Sequence, residues 1–120
     1  MILYHGTSKE NAEFIKRNGF SSEYIGKNCG SIYGKVIYFT NCYKTAKCYA
    51  GQSGVVLTVD IENVNYLKLD RDYSLNDKNH IREIESMIMY IMINSNKNCL
   101  LNYNENEYIF FNRFKYTIIL

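Results

Sequence analysis

The chain is 120 residues long, enough for one domain, 1–120, with a buried core, and too short to hold a catalytic and a regulatory domain together. Its residues are 47% hydrophobic and 22% charged, which excludes a disordered chain. A formal charge of +2 gives no electrostatic basis for tight, non-specific binding to nucleic acid.

Met1-Ile2-Leu3-Tyr4-His5 runs directly into patterned sequence with no basic or apolar leader, so a cytoplasmic protein is expected. Leu3 to His5 reads as a short strand. Ser8 followed by Glu10, Ala12, Phe14 and Ile15 reads as an N-capped helix that ends at Asn18-Gly19. Residues 21 to 34 carry Gly26, Gly30 and Gly34 among polar residues and read as a loop over a site. Lys35 to Thr40 is a strand by its β-branched and aromatic content, Thr45 to Ala50 is a short helix, and Gly54 to Ile61 alternates as a half-buried strand does. Tyr66 to Leu69 adds a further strand.

From Asn76 the apolar residues Ile81, Ile84, Ile88, Ile91 and Met92 recur at helical spacing, with Arg82, Glu83 and Glu85 on the other face. Met87, Met89 and Met92 read as core filler and His80 as a surface residue. Ile88 to Ile93, the most apolar run, falls far short of the roughly 20 residues of a membrane span, so no membrane role is expected. Asn94 to Asn106 is rich in asparagine and reads as a loop before two strands, Glu107 to Phe111 and Phe114 to Leu120. The expected fold is α+β, with helices packed on a twisted antiparallel sheet.

Cys29, Cys42, Cys48 and Cys99 form no C-x-x-C pair and only two histidines are present, so the cysteines are expected to be reduced, structural thiols and no metal is expected. The three glycines match neither G-x-G-x-x-G nor a P-loop. Polar functional groups stand instead within or at the ends of apolar strands: His5 in Tyr4-His5-Gly6-Thr7, Tyr38 in Gly34-Lys35-Val36-Ile37-Tyr38-Phe39-Thr40, and Glu107 in Asn106-Glu107-Tyr108-Ile109. Burying such groups is costly unless they are paired or used.

In that order, and with the helix ending Asn18-Gly19-Phe20 between the first two, these segments resemble the His-Tyr-Glu branch of the ADP-ribosyltransferases, which includes the poly(ADP-ribose) polymerases and diphtheria toxin. The resemblance runs from residue 3 to residue 120, with residues 60 to 100 similar only in pattern. It implies a split antiparallel β-sheet core and NAD as co-substrate, with no metal. His5 would bind a ribose hydroxyl, the Gly6 backbone the nicotinamide carboxamide, and Thr7 would support that turn. Tyr38 and Tyr49 would stack on the two faces of the nicotinamide ring, the eleven-residue step between them being similar to the diphtheria-toxin spacing, and Thr45 would also meet the carboxamide. In the polymerase pattern the second tyrosine falls where this chain has Cys48.

The resemblance makes Glu107 the carboxylate that holds the 2′-hydroxyl of the nicotinamide ribose and stabilises the oxocarbenium-like transition state. Glu105, two residues earlier, is similar in position to the acceptor-orienting glutamate of arginine-modifying members. Those members, however, begin with arginine rather than histidine and carry Ser-Thr-Ser where this chain has Tyr38-Phe39-Thr40. The expected activity is transfer of a single ADP-ribose to a macromolecular acceptor, protein rather than nucleic acid, as a toxin-like effector or a modifying enzyme. The alternatives are an NAD glycohydrolase and an inactive NAD- or ADP-ribose-binding or protein-interaction module.

Overall fold

The computed structural model describes residues 1–20, 36–72, 78–111 and 114–119. In chain order the elements are β1 (Ile2–Thr7), α1 (Lys9–Asn18), β2 (Ile37–Thr40), α2 (Tyr43–Ala50), β3 (Val55–Ile61), β4 (Tyr66–Lys68), α3 (Lys78–Asn94), β5 (Cys99–Leu101), β6 (Glu107–Phe110) and β7 (Tyr116–Ile119). The strands form one seven-stranded sheet in the order β4-β5-β6-β2-β1-β3-β7. The fold is α+β, but the sheet is mixed rather than purely antiparallel, because β4 and β5 run parallel. That pairing uses β5, which lies inside the segment expected to be a loop. Its three residues are all buried, so they show no alternation of apolar and polar to set them apart from their asparagine-rich surroundings.

Local chemistry sets the elements. Ser8 caps α1 by accepting from the Asn11 amide at 3.1 Å, Lys16 and Arg17 stand in the last turn, and Gly19 stops the helix at φ 79°, a conformation that disfavours any side chain. In β3, Leu57, Val59 and Ile61 are buried while Asp60 is exposed, the alternation of a strand with one face on a core.

The registers decide what each face carries. Residues directly opposite share a face, so Leu3, Ile37, Phe39, Leu57, Val59, Cys99, Leu101, Tyr108 and Phe110 point to one side, where Ala12 and Ile15 of α1 close over them. Phe20, Phe39, Phe110, Phe114 and Tyr116 form a chain of ring contacts there, with centroids 4.7 to 5.7 Å apart from neighbour to neighbour. On the other side Leu100 and Ile109 pack with Leu69 and with Ile84 and Ile91 of α3. The side chains of His80, Ile81 and Met92 lie outside the described part. Met87 is half-buried against this cluster, but Met89 is exposed, together with Tyr90 and Ile93, so the apolar stripe of α3 is wider than the surface it covers.

Helix α2 sits on the same side as α3, over β1 and β3, and sits close. A Cβ added to Gly6 would collide with the Ala46 carbonyl oxygen, and one added to Gly54 would collide with that of Ala50. Ala46 is completely buried. The sheet itself is joined thinly at its middle: β1 and β2 share one paired position, Tyr4 opposite Thr40, whereas β1 pairs with β3 over six and β2 with β6 over four. Among the described residues no helix is long and apolar enough to cross a membrane.

Candidate functional site

The thin joint is where the singled-out residues gather. Continuing the Tyr4–Thr40 register would bring Gly6 opposite Tyr38, but that rung does not form. The Tyr38 carbonyl oxygen instead meets Nδ1 of His5 at 2.7 Å. A carbonyl only accepts, so Nδ1 carries the proton and Nε2 carries the lone pair. The imidazole is half-buried and stands 5.3 Å from the Phe20 ring and 5.6 Å from Phe39. Burial lowers its pKa below the usual 6.5, with the bond to Tyr38 opposing in part, so the ring is neutral at pH 7.

This depression makes stability pH-dependent. Above 6.5 neither the folded nor the unfolded chain protonates His5. As pH falls below 6.5 the unfolded chain takes up the proton first, and stability is lost until the folded value is passed. The expected result is a lower urea midpoint at pH 5 than at pH 7.5. His5→Asn, which keeps a donor near the Nδ1 position but does not titrate, should show a smaller drop. An identical drop in the two proteins would remove His5 from the effect.

Glu107 opens β6 directly opposite Thr40, and Tyr38 is opposite Ile109. Tyr38 and Glu107 are therefore diagonal neighbours on one face, a separation of about 7–8 Å between such positions. Tyr38 is half-buried against the α3 cluster. From α2, Tyr49 reaches across 58 residues of sequence to donate its hydroxyl to Glu107 Oε1 at 2.5 Å. The Tyr49 ring is 64% exposed, so it stands at the rim of the site. Tyr38, Tyr49 and Glu107 thus converge on the α2–α3 side. Strand alternation sends the His5 side chain to the α1 side, and it meets the group at the Tyr38 carbonyl. Thr7 is buried in β1 and Thr45 is half-buried in α2. The Gly6 flank that faces α2 is filled by Ala46 and Ala50.

Glu107 is held by polar residues that composition marks only as loop. Asn102 Oδ1 accepts from the Asn106 and Glu107 amides, both at 2.9 Å, while its Nδ2 donates to Asn106 Oδ1 at 2.7 Å. The buried Thr40 hydroxyl donates to the Asn106 carbonyl at 2.7 Å and accepts from the Cys42 amide at 3.1 Å. It thereby ties the start of β6 to the start of α2. The Asn102-x-x-x-Asn106 spacing around a turn was the available signal for this network. Between them Glu105 adopts φ 57°, a conformation costly for a residue with a side chain, and its carboxylate pairs with Lys68 Nζ at 3.4 Å.

Lys68 also lines a groove of about 650 Å³ between β4 and α3, with Leu67, Leu69, Arg71, Glu83 and Met87 among its walls. Cys42, Cys48 and Cys99 are free thiols, and burial pushes that of Cys99 up to about 12, so it behaves as a small apolar side chain. Cys29, the three loop glycines, Tyr33 and Lys35 lie outside the described residues. No protein family, curated protein or solved structure matches the chain.

Proposed function

We propose that this chain is an ADP-ribosyltransferase that splits NAD at the nicotinamide–ribose bond and transfers one ADP-ribose to a protein. The observation that carries the reading is the convergence of Tyr49, Glu107 and Tyr38 on one face, beside a sheet joint with a single rung. A carboxylate held at an aromatic rim is the minimum this chemistry needs. Nicotinamide leaves as a neutral molecule from a cationic pyridinium, so the demand on the protein is to stabilise positive charge growing on the ribose. Glu107 supplies that charge complement. Tyr38 and Tyr49 supply ring faces for the leaving group, and His5, whose ring lies on the α1 side, bears on this face through its bond to the Tyr38 carbonyl. The split ADP-ribosyltransferase sheet is part of the same proposal, supported by the single rung between β1 and β2. So is a cytoplasmic place of action.

The acceptor is placed at the Glu105 side. A carboxylate there grips a guanidinium in two-point geometry, and the groove that begins at Lys68 has room for a polypeptide side chain. Glu105→Ala is expected to suppress labelling of protein while leaving nicotinamide release unchanged. Stability should be unaffected, because the exposed Lys68 pair is worth about 0–1 kcal/mol and alanine keeps the same backbone strain. Labelling at the wild-type rate would remove Glu105 from acceptor binding.

The decisive experiment is incubation with labelled NAD and a cell lysate, following nicotinamide release and the fate of the label. Label in protein supports the proposal. Nicotinamide release with free ADP-ribose identifies a glycohydrolase, and binding of NAD without release identifies a binding module.

A further inference from the structure

The side chain of Asn102 has the geometry of a built support rather than of a loop residue. Its oxygen takes two consecutive amides, those of Asn106 and Glu107, and its amide nitrogen takes the Asn106 side-chain oxygen. Its own backbone amide donates to the Glu107 carbonyl at 3.0 Å. Both backbone polar groups of Glu107 are therefore bonded to this one residue. The turn between them is closed by the Glu105 amide on the Asn102 carbonyl at 3.0 Å and is pinned from outside by Asn41 Nδ2 on the Glu105 carbonyl at 3.0 Å. The same Asn106 is bonded through its carbonyl to Thr40 and to the Asn41 amide, beside the N-terminus of the helix that carries Tyr49.

We infer that Asn102 is a positioning residue for Glu107: it fixes the backbone from which the carboxylate projects, and so keeps that carboxylate on the Tyr49 hydroxyl and aimed at the face that Tyr38 shares. This rests on the NAD-cleaving reading for its catalytic consequence, while the positioning stands on the hydrogen bonds alone. Asn102 touches no reacting atom. Its loss acts through misplacement of Glu107, which weakens transition-state stabilisation more than substrate binding.

Three variants separate positioning from bulk stability. Asn102→Leu keeps the size and removes every side-chain hydrogen bond. Asn102→Asp keeps the oxygen that receives the two amides, and an amide flip of Asn106 then presents Nδ2 to it. Asn102→Ser is polar but too short to reach, and replaces the leucine variant if that one does not fold. The measurements are kcat and KM for nicotinamide release from NAD, and hydrogen exchange at the Glu107 amide.

In Asn102→Leu, kcat should fall by about tenfold to a hundredfold, as for a catalytic group displaced by about 1 Å. KM should stay within about twofold, Glu107 exchange should quicken, and Asn102→Asp should restore both. Unchanged exchange in Asn102→Leu overturns the inference, as does a fall in kcat that a folded Asn102→Asp fails to restore. If the wild-type chain releases no nicotinamide, the proposed function fails, and the exchange comparison alone decides whether Asn102 holds Glu107 in place.

Discussion

Glu107→Gln is expected to lower nicotinamide release by roughly 10²- to 10³-fold, the range for removing one preorganised electrostatic contact to a transition state, with the melting temperature nearly unchanged. The substitution keeps the shape of the side chain and keeps an oxygen for the Tyr49 hydroxyl, the side-chain bond that Glu107 makes among the described residues. The backbone bonds to Asn102 are untouched. What is lost is the charge, which matters little to NAD in its ground state and much to a ribose becoming an oxocarbenium ion. NAD binding should therefore survive, and calorimetry with NAD beside the kinetic assay gives both quantities. Release at the wild-type rate would remove Glu107 from the mechanism and the proposed function with it.

Gly6→Ala should be strongly damaging for so small a substitution. The added methyl has no flexible neighbour to push aside. It meets the Ala46 carbonyl oxygen, with the Ala46 carbonyl carbon at 2.8 Å and the Ala50 amide nitrogen at 3.0 Å, all of them backbone atoms. Either α2 lifts from the sheet or β1 bends. Overpacking of this kind costs about 1–3 kcal/mol, read as a lower urea midpoint with unchanged slope. Because α2 also carries Tyr49, its displacement should break the bond to Glu107, so the loss of activity should exceed the loss of folded protein. A midpoint equal to wild type would mean that α2 does not sit this close in solution.

Much of the fold is legible where the signal is local. Ser8, Ala12, Ile15 and Asn18-Gly19 define α1 within one short stretch of chain, and the alternation of β3 names its buried face. Where the determinant is distant, reading fails. Cys99-Leu100-Leu101 is a strand because β4 and β6 lie on either side of it, and nothing within three residues says so. Helix α2 starts at Tyr43, two residues before the segment expected, in a place where the hydroxyl of Thr40 receives the Cys42 amide.

The site divides in the same way. His5, Tyr38, Tyr49 and Glu107 stand out by residue type and order. That Tyr49 bonds Glu107, and that His5 points to the side opposite Tyr38, depends on registers set by pairing across the whole sheet. Asn102 was hidden by its composition, since asparagine marks turns far more often than it organises them.

The single rung between β1 and β2 bears on how this protein tolerates change in length. Pairing along a ladder moves in whole-residue steps, and a slip of one residue turns every side chain of the strand to the wrong face. In a sheet knit along its full width, an insertion in one strand would pass that error to its neighbours. Here the two halves, β4-β5-β6-β2 and β1-β3-β7, meet through that rung, the His5–Tyr38 bond and the packed rings of Phe20, Phe39, Phe110, Phe114 and Tyr116, and ring packing is not bound to whole-residue steps. A residue gained or lost in one half is therefore expected to leave the register of the other in place.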